Sequence, residues 1–164
     1  MTMRIKNNYL IYNGVKYKCA IGSGGFIDKK VEGDKCTPIG VFQITDILFR
    51  KDNLQNLVTN YNLKTISPTD GWCDDPNSKH YNTKIQFPFK SSAEKLFRQD
   101  GRYDIVCITN HNQNPIIPGA GSAIFIHVAS KDYSATAGCV ALSLNDLTEI
   151  LSTLKKSTEI HFGL

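Results

Sequence analysis

An Asn13-Gly14 pair lies between two apolar-rich runs, Tyr9-Leu10-Ile11-Tyr12 and Val15 to Ile21. Both residues tolerate the left-handed backbone that a two-residue hairpin turn demands, so the pair commits the start of the chain to antiparallel strands. Gly22-Ser23-Gly24-Gly25 follows and reads as a flexible loop. It does not open a helix, so a phosphate cradle is a poor reading. Gly40 to Ile47 reads as a further strand after the turn Thr37-Pro38-Ile39-Gly40.

The middle of the chain is less regular. Asp70 to Asn77 is dense in turn formers, and Ser91 to Phe97 suits a short helix, although Ser92 and Lys95 make no capping box. Asp104 to Thr109 reads as a buried strand and Asn110 to Pro118 as a loop. Ser122 to Ala129 alternates: Ile124, Ile126 and Val128 point one way, and Ala123, Phe125 and His127 the other. A loop then leads to Cys139-Val140-Ala141-Leu142. Ser143 suits an N-cap, with Asp146 three residues on, for a helix whose apolar face is Leu144, Leu147, Ile150, Leu151 and Leu154. Glu159 to Phe162 suits a closing strand. The expected fold is mostly β with short helices, in a single domain over residues 1–164.

At 164 residues, 41% apolar and 21% charged, the chain is of ordinary globular composition. No run approaches the roughly 20 apolar residues of a membrane span. The first eleven residues lack an apolar core followed by a small-residue cleavage site, so no secretory signal is read there. A net charge of +4 favours anionic partners in general. The lysines and arginines are scattered, with no basic stripe interleaved with aromatics, so no nucleic-acid partner is expected. A monomer is expected.

Five cysteines occur, at 19, 36, 73, 107 and 139. The odd count leaves at least one outside any internal disulfide, and none forms a C-x-x-C motif. Cys19 and Cys107 lie in apolar runs and read as small hydrophobes. Cys139 ends the small, flexible segment Ser134-Ala135-Thr136-Ala137-Gly138. A thiol nucleophile needs a base, an oxyanion hole and room for substrate. Gly138 lets the backbone bend so that its own N–H and that of Cys139 face a developing oxyanion. His127, twelve positions earlier, sits where a returning loop brings an imidazole beside the sulfur; an imidazolium there would draw the thiol toward thiolate. The residues alone fit a structural thiol and a satisfied core histidine better than a catalytic pair.

The order His127, eight residues, Thr136-Ala137-Gly138-Cys139-Val140 resembles the signature of the YkuD-type L,D-transpeptidases. In that signature His is followed by Ser or Thr, any residue, Gly-Cys, then Ile or Val and Arg. Upstream, Thr37-Pro38-Ile39-Gly40-Val41-Phe42 is similar to that family's T-P-x-G segment. Asp70-Gly71-Trp72-Cys73-Asp74, His80-Tyr81-Asn82 and Gly121 to His127 resemble a compact proteobacterial branch. The resemblance implies a β-sandwich or barrel-like fold and acyl transfer on peptidoglycan stem peptides. It makes Cys139 the nucleophile, His127 the base and then the acid, Gly138 and Cys139 the oxyanion donors, and Thr136 a residue lining the site. No metal or organic cofactor is implied. The substrate places the activity in the periplasm or cell envelope. The same residues would serve an L,D-carboxypeptidase or other thiol peptidase, or persist in a non-catalytic peptidoglycan-binding module.

Two positions depart from the family pattern: Ala137 stands where His is frequent and Ala141 where Arg is common. Arg98 or Arg102 is the expected substitute for that charge. Trp72, His80 and Tyr81, with Asn82, suit the wall of a peptide groove, while a Trp in a turn-rich loop equally suits a small satellite core. His80 equally suits a plain surface position. His111 reads as exposed and inert, and His161 as structural. The spacing of His and Cys gives no zinc pattern.

Overall fold

The computed structural model describes residues 2–164. Fifteen strands and one helix follow one another. The first three strands, β1 (Thr2–Lys6), β2 (Tyr9–Tyr12) and β3 (Val15–Ala20), form a meander. Its second turn is the expected one: Asn13 and Gly14 both have positive φ, with Tyr12 opposite Val15. Short strands β4 (Phe26–Ile27), β5 (Thr37–Pro38) and β6 (Gly40–Phe42) precede β7 (Ile44–Phe49) and β8 (Leu63–Thr65). Next come β9 (Asp70–Cys73), β10 (Lys84–Gln86) and β11 (Ala93–Lys95), then β12 (Ile105–Thr109), β13 (Phe125–Val128) and β14 (Val140–Leu142). Helix α1 (Leu144–Thr153) and β15 (Glu159–Phe162) close the chain.

Ten strands make one sheet in the order β6-β15-β1-β2-β3-β14-β13-β12-β7-β8, and β10-β9-β11 make a second. Strand β13 lies deep in the large sheet and is buried throughout. Its alternation divides the interior. Ile124, Ile126 and Val128 join the larger core, which α1 covers with Leu147, Ile150, Leu151 and Leu154. Phe125 faces the other way and packs with Trp72 of the small sheet, Leu96, Tyr103 and Cys139. The large sheet is thus covered on both faces, as a β-sandwich requires.

Three local expectations are corrected. The run from Gly40 to Ile47 is two strands, because β6 pairs with β15 and β7 with β12. The chain changes partner at Gln43, whose N–H donates to Asn110 Oδ1 at 2.9 Å. Ser91 to Phe97 holds no helix: residues 93–95 pair with β9, since an uncapped short segment gains more from an open sheet edge than from one helical turn. Asp70 to Cys73 is a buried strand and not a turn; the Asp70 carboxylate accepts from Ser67 N–H at 2.8 Å and pairs with Lys84 at 3.3 Å.

Helix α1 forms as its pattern dictates. Ser143 Oγ accepts from Asp146 N–H at 3.1 Å, satisfying one of the otherwise unpaired N–H groups of the first turn. Replacing Ser143 with Ala is expected to cost about 1 kcal/mol. Leu151, fully buried in the helix seam, should cost about 2–5 kcal/mol when replaced with Ala. Urea unfolding midpoints at unchanged slope measure both, and equal losses would contradict the packing described.

Candidate active site

Parallel pairing of β13 with β14 sets the site. Ile126 lies across from Val140 and His127 across from Ala141. Cys139, just before β14, therefore comes beside Phe125, whose N–H points at Sγ at 3.4 Å. Side chains two residues apart on a strand share a face, so His127 and Cys139 look to the same side, offset by about 6–7 Å of strand. They are 6% and 8% exposed.

The thiol is held as a thiol. Sγ donates to the Ala123 carbonyl at 3.1 Å. Burial pushes the Cys139 pKa up to about 12, the nearby Glu94 carboxylate adds to the rise, and the Phe125 N–H and Lys30 oppose it. Ala123 presents its carbonyl from a left-handed backbone, φ 53°. Asn82 holds that conformation: its Oδ1 accepts from Ala123 N–H at 3.1 Å and from Trp72 Nε1 at 3.0 Å.

The imidazole is neutral. Burial lowers the His127 pKa to about 4, with Arg102 and Arg98 contributing in the same direction. Nδ1 lies 2.9 Å from the Val128 carbonyl. A carbonyl only accepts, so in the neutral ring Nδ1 carries the proton and Nε2 is the unprotonated nitrogen; the Arg102 carbonyl is a second acceptor near the ring. The Tyr103 ring stands edge-on to the imidazole at 5.2 Å. The thiol and imidazole are not bonded to each other, and the expected imidazolium–thiolate pair is corrected to a neutral one. Burial penalises both charges and outweighs the attraction between them.

The loop before Cys139 is tied down by hydroxyls. Thr136 Oγ1 accepts from Gly138 N–H at 3.1 Å and donates to the Cys139 carbonyl at 2.6 Å. The Gly138 N–H is therefore spent, contrary to its expected role facing an oxyanion. Gly138 has φ 139°, and a Cβ there would lie 2.8 Å from the Cys36 carbonyl, so only glycine fits. Thr37, fully buried, donates to the Gly138 carbonyl and accepts from Gly22 N–H, each at 2.9 Å. The Gly22–Gly25 segment is tied down at its start rather than loose: Ser23 N–H donates to the Thr136 carbonyl, and a Cβ on Gly22 would collide with the Lys35 carbonyl, while Ser23 and Gly24 stay exposed.

The residues expected to wall a groove fall into two groups. Trp72, Tyr81 and Asn82 are buried behind the site and spend their polar atoms internally. Tyr81 OH donates to Glu32 at 2.7 Å and accepts from Gly121 N–H at 3.0 Å. His80 is exposed and stands edge-on to Phe89 at 5.8 Å. Arg102 is partly exposed, with Nε 3.8 Å from Asp100, and its carbonyl accepts from Val128 N–H beside His127. His111 is partly buried against Phe42 and faces the Ala120 carbonyl at 3.1 Å, so it is not the exposed residue expected.

Above Cys139 lies a cavity of about 270 Å³, lined by Lys30, Glu32, Lys35, Asp74, Glu94, Ser122 and Ala123 among others. Glu94 accepts from Tyr103 OH at 3.1–3.2 Å. Burial raises its pKa to about 7, with the Asp74 carboxylate adding to the rise against the Tyr103 hydrogen bond. Nothing in the one-dimensional pattern marks Glu94 or Tyr103, since Glu94 reaches Cys139 from β11 of the second sheet and Tyr103 from the approach to β12. Thr37 lay within the T-P-x-G segment, but its two hydrogen bonds are a product of folding. Among the described residues, no three His, Cys, Asp or Glu side chains gather closely enough to hold a metal ion. Nor is any helix long and apolar enough to cross a membrane.

A family model, the L,D-transpeptidase catalytic domain YkuD, matches residues 3–161. The match covers nearly the whole chain, and the protein belongs to this family of cysteine-dependent acyltransferases acting on peptidoglycan stem peptides. A search of curated proteins finds no match to the chain.

Glu94 and His127 oppose each other in acid. Glu94, raised from 4.5 to about 7, takes its proton first in the folded state, so folding gains as pH falls from 7 to 4.5. His127, lowered from 6.5 to about 4, is protonated first in the unfolded state, so folding loses as pH falls from 6.5 to 4. Each effect is on the order of 3 kcal/mol, and His111, also lowered by burial, adds to the loss. The native protein should therefore lose stability only gently from pH 7 to 4.5. Glu94→Gln should lose on the order of 3 kcal/mol more over that interval. Urea unfolding at fixed pH measures this; parallel profiles for the two proteins would contradict it.

Proposed function

We propose that this chain is a peptidoglycan L,D-transpeptidase acting in the cell envelope, with Cys139 as nucleophile and His127 as base. What supports the reading best is a thiol at the end of an open cavity, on the same sheet face as a neutral histidine whose Nε2 is unprotonated. A neutral pair is competent: the proton leaves sulfur as attack begins, and no ion pair must exist beforehand.

The donor is a tetrapeptide stem whose diaminopimelate L-centre is joined to D-alanine. Sγ attacks that carbonyl carbon while its proton passes to His127 Nε2. Substrate entry must release the thiol from the Ala123 carbonyl and close the gap to the imidazole. The N–H of Cys139, rather than that of Gly138, donates to the oxyanion. His127 then protonates the departing D-alanine amine, leaving a thioester on Cys139. An amine of a second stem peptide attacks the thioester, gives its proton to His127, and the thiol is restored. Thr136 and Thr37 position the loop that carries the sulfur. Arg98 and Arg102 provide positive charge near His127, where Ala141 leaves the family's usual position empty of it.

Incubation of the purified protein with a disaccharide tetrapeptide, followed by mass analysis, tests the reading. Cross-linked dimers and an acyl adduct on Cys139 are expected; trimmed tripeptides alone would make the protein a carboxypeptidase. Cys139→Ala should form neither adduct nor product, and retained turnover would sink the assignment. His127→Gln should lower turnover by about 10²–10⁴-fold.

The arginines have a separate test. Arg98→Ala with Arg102→Ala should lower turnover about tenfold, roughly the loss of one exposed charge interaction of 1.4 kcal/mol. Unchanged turnover removes them from the site.

A further inference from the structure

The two faces of the β1–β3 meander differ in kind. Met3, Ile5, Leu10, Tyr12 and Tyr17 point into the larger core. The alternate residues are exposed, and strand pairing sets them in two rows: Lys6, Tyr9 and Lys18 in one, Arg4, Ile11 and Lys16 in the next. Two bulky apolar side chains, Tyr9 and Ile11, thus stand on the middle strand, each 43% exposed, with a cation on either side. Strand spacing puts these cations roughly 10 Å apart across β2 and about 7 Å apart along a strand. They are scattered in the sequence and gathered by the fold.

The charge on this face is of one sign. Among the described residues, none of the four cations has an ion-pair partner. Glu159 is the only carboxylate on β1, β2, β3, β6 and β15, and it lies at the far strand, 3.3 Å from His161. The chain has 19 lysines and arginines against 15 carboxylates, so these four equal its whole excess of positive charge. A surface kept only for solubility mixes both signs. At this spacing the charges lie about one Debye length apart, so their fields add toward a broad anionic surface.

The aromatic rings narrow the partner. Lys16 Nζ lies 3.8 Å from the centre of the Tyr9 ring, and Lys18 Nζ 4.5 Å from that of Tyr133. Each ring gives a face to an ammonium group instead of leaving it open to a base, the platform on which single-stranded nucleic acid stacks. A bilayer needs no such platform. Its phosphates meet the cations while apolar side chains between them enter the headgroup layer.

We propose that this face docks the protein on an anionic phospholipid bilayer, lying on the surface without spanning it. Arg4, Lys6, Lys16 and Lys18 meet the phosphates, and Tyr9 and Ile11 enter the boundary between headgroups and acyl chains. None of the six lines the cavity above Cys139, so the docking face and the cavity are separate. The inference is independent of the acyl-transfer reading.

Co-sedimentation of the full chain with vesicles tests it. Vesicles of equal parts phosphatidylglycerol and phosphatidylcholine should retain the protein, vesicles of phosphatidylcholine alone should not, and rising salt should release it. Each lysine or arginine at an anionic surface strengthens binding about fivefold, so Arg4→Gln with Lys6→Gln should weaken it about 30-fold. Neither side chain makes a hydrogen bond or ion pair among the described residues, so the fold should stand, and an unchanged thermal midpoint checks that. Should the double variant fail to fold, Lys6→Gln alone serves, with a loss of about fivefold. Equal retention on both vesicles, or unchanged affinity in the variant, overturns the proposal. A second measurement reads the face in contact. The emission of Ile11→Trp should shift to the blue on the anionic vesicles, whereas Trp72, the only native tryptophan, is already buried and should not respond. Bound protein with unshifted emission places the contact elsewhere and overturns the face. Retention on isolated peptidoglycan or on nucleic acid, with none on vesicles, also overturns the proposal and assigns the cations to that polymer.

Discussion

The parallel pairing of β13 with β14 is the constraint on which the site depends. It fixes His127 across from Ala141 and brings Phe125 beside Cys139, so one sheet face carries both the imidazole and the thiol. A one-residue slip would turn the thiol into the opposite core, among the leucines of α1. Register is held because both faces of β13 are buried against different partners, Ile126 under α1 and Phe125 under Trp72. The Thr37 hydroxyl, joining the Gly22 N–H to the Gly138 carbonyl, locks the segment that delivers Cys139 to this register.

Burial then decides the charge state of the site. Solvation lost by Cys139 and His127 favours the uncharged form of each, and the same cause raises Glu94. For Cys139 as the proposed nucleophile, reactivity would come with the substrate's arrival rather than from a standing thiolate. Burial also protects the thiol, since oxidation and alkylation proceed through the thiolate. Tyr103 links the parts. Its ring stands against His127 and its hydroxyl donates to Glu94, so the charge of the cavity wall and the setting of the imidazole share one side chain.

Much of this fold was legible because local and tertiary preferences agree. Asn13-Gly14, the alternation from Phe125 to Val128, and Ser143 with its leucine seam each formed as their pattern required, although the strand expected from Ser122 starts only at Phe125 because Ala123 turns left-handed. Disagreement came where a neighbour overrode the local signal. Residues 93–95 gave up a weak helix to close a sheet edge, and the polar stretch from Asp70 became a strand because Ser67, Lys84 and Gln86 satisfy its buried carboxylate. Within the site, the sequence motif marked residues near one another in the chain, from His127 to Cys139. It was silent on Glu94, which lines the cavity from β11, and on Tyr103, which donates to Glu94 from the approach to β12. Asn82 was marked as a contact for substrate, yet its side chain is consumed in holding Ala123 and Trp72.

Ala141 shows how the register bears on the charge of the site. The side chain at this position faces the same way as His127 and is 1% exposed. An arginine there, as the family commonly has, would bring a buried cation directly beside the imidazole and require a buried anion to pair it. With alanine, no such cation exists. Arg98 and Arg102 stay partly exposed and engaged with Asp100, while the cavity over the thiol is lined by charges of both signs, Lys30 and Lys35 beside Glu32, Asp74 and Glu94. The strand neighbour of His127 thus contributes no charge to the site. Ala141 therefore lets burial alone set the imidazole's state from this side, in keeping with the lowered pKa of His127.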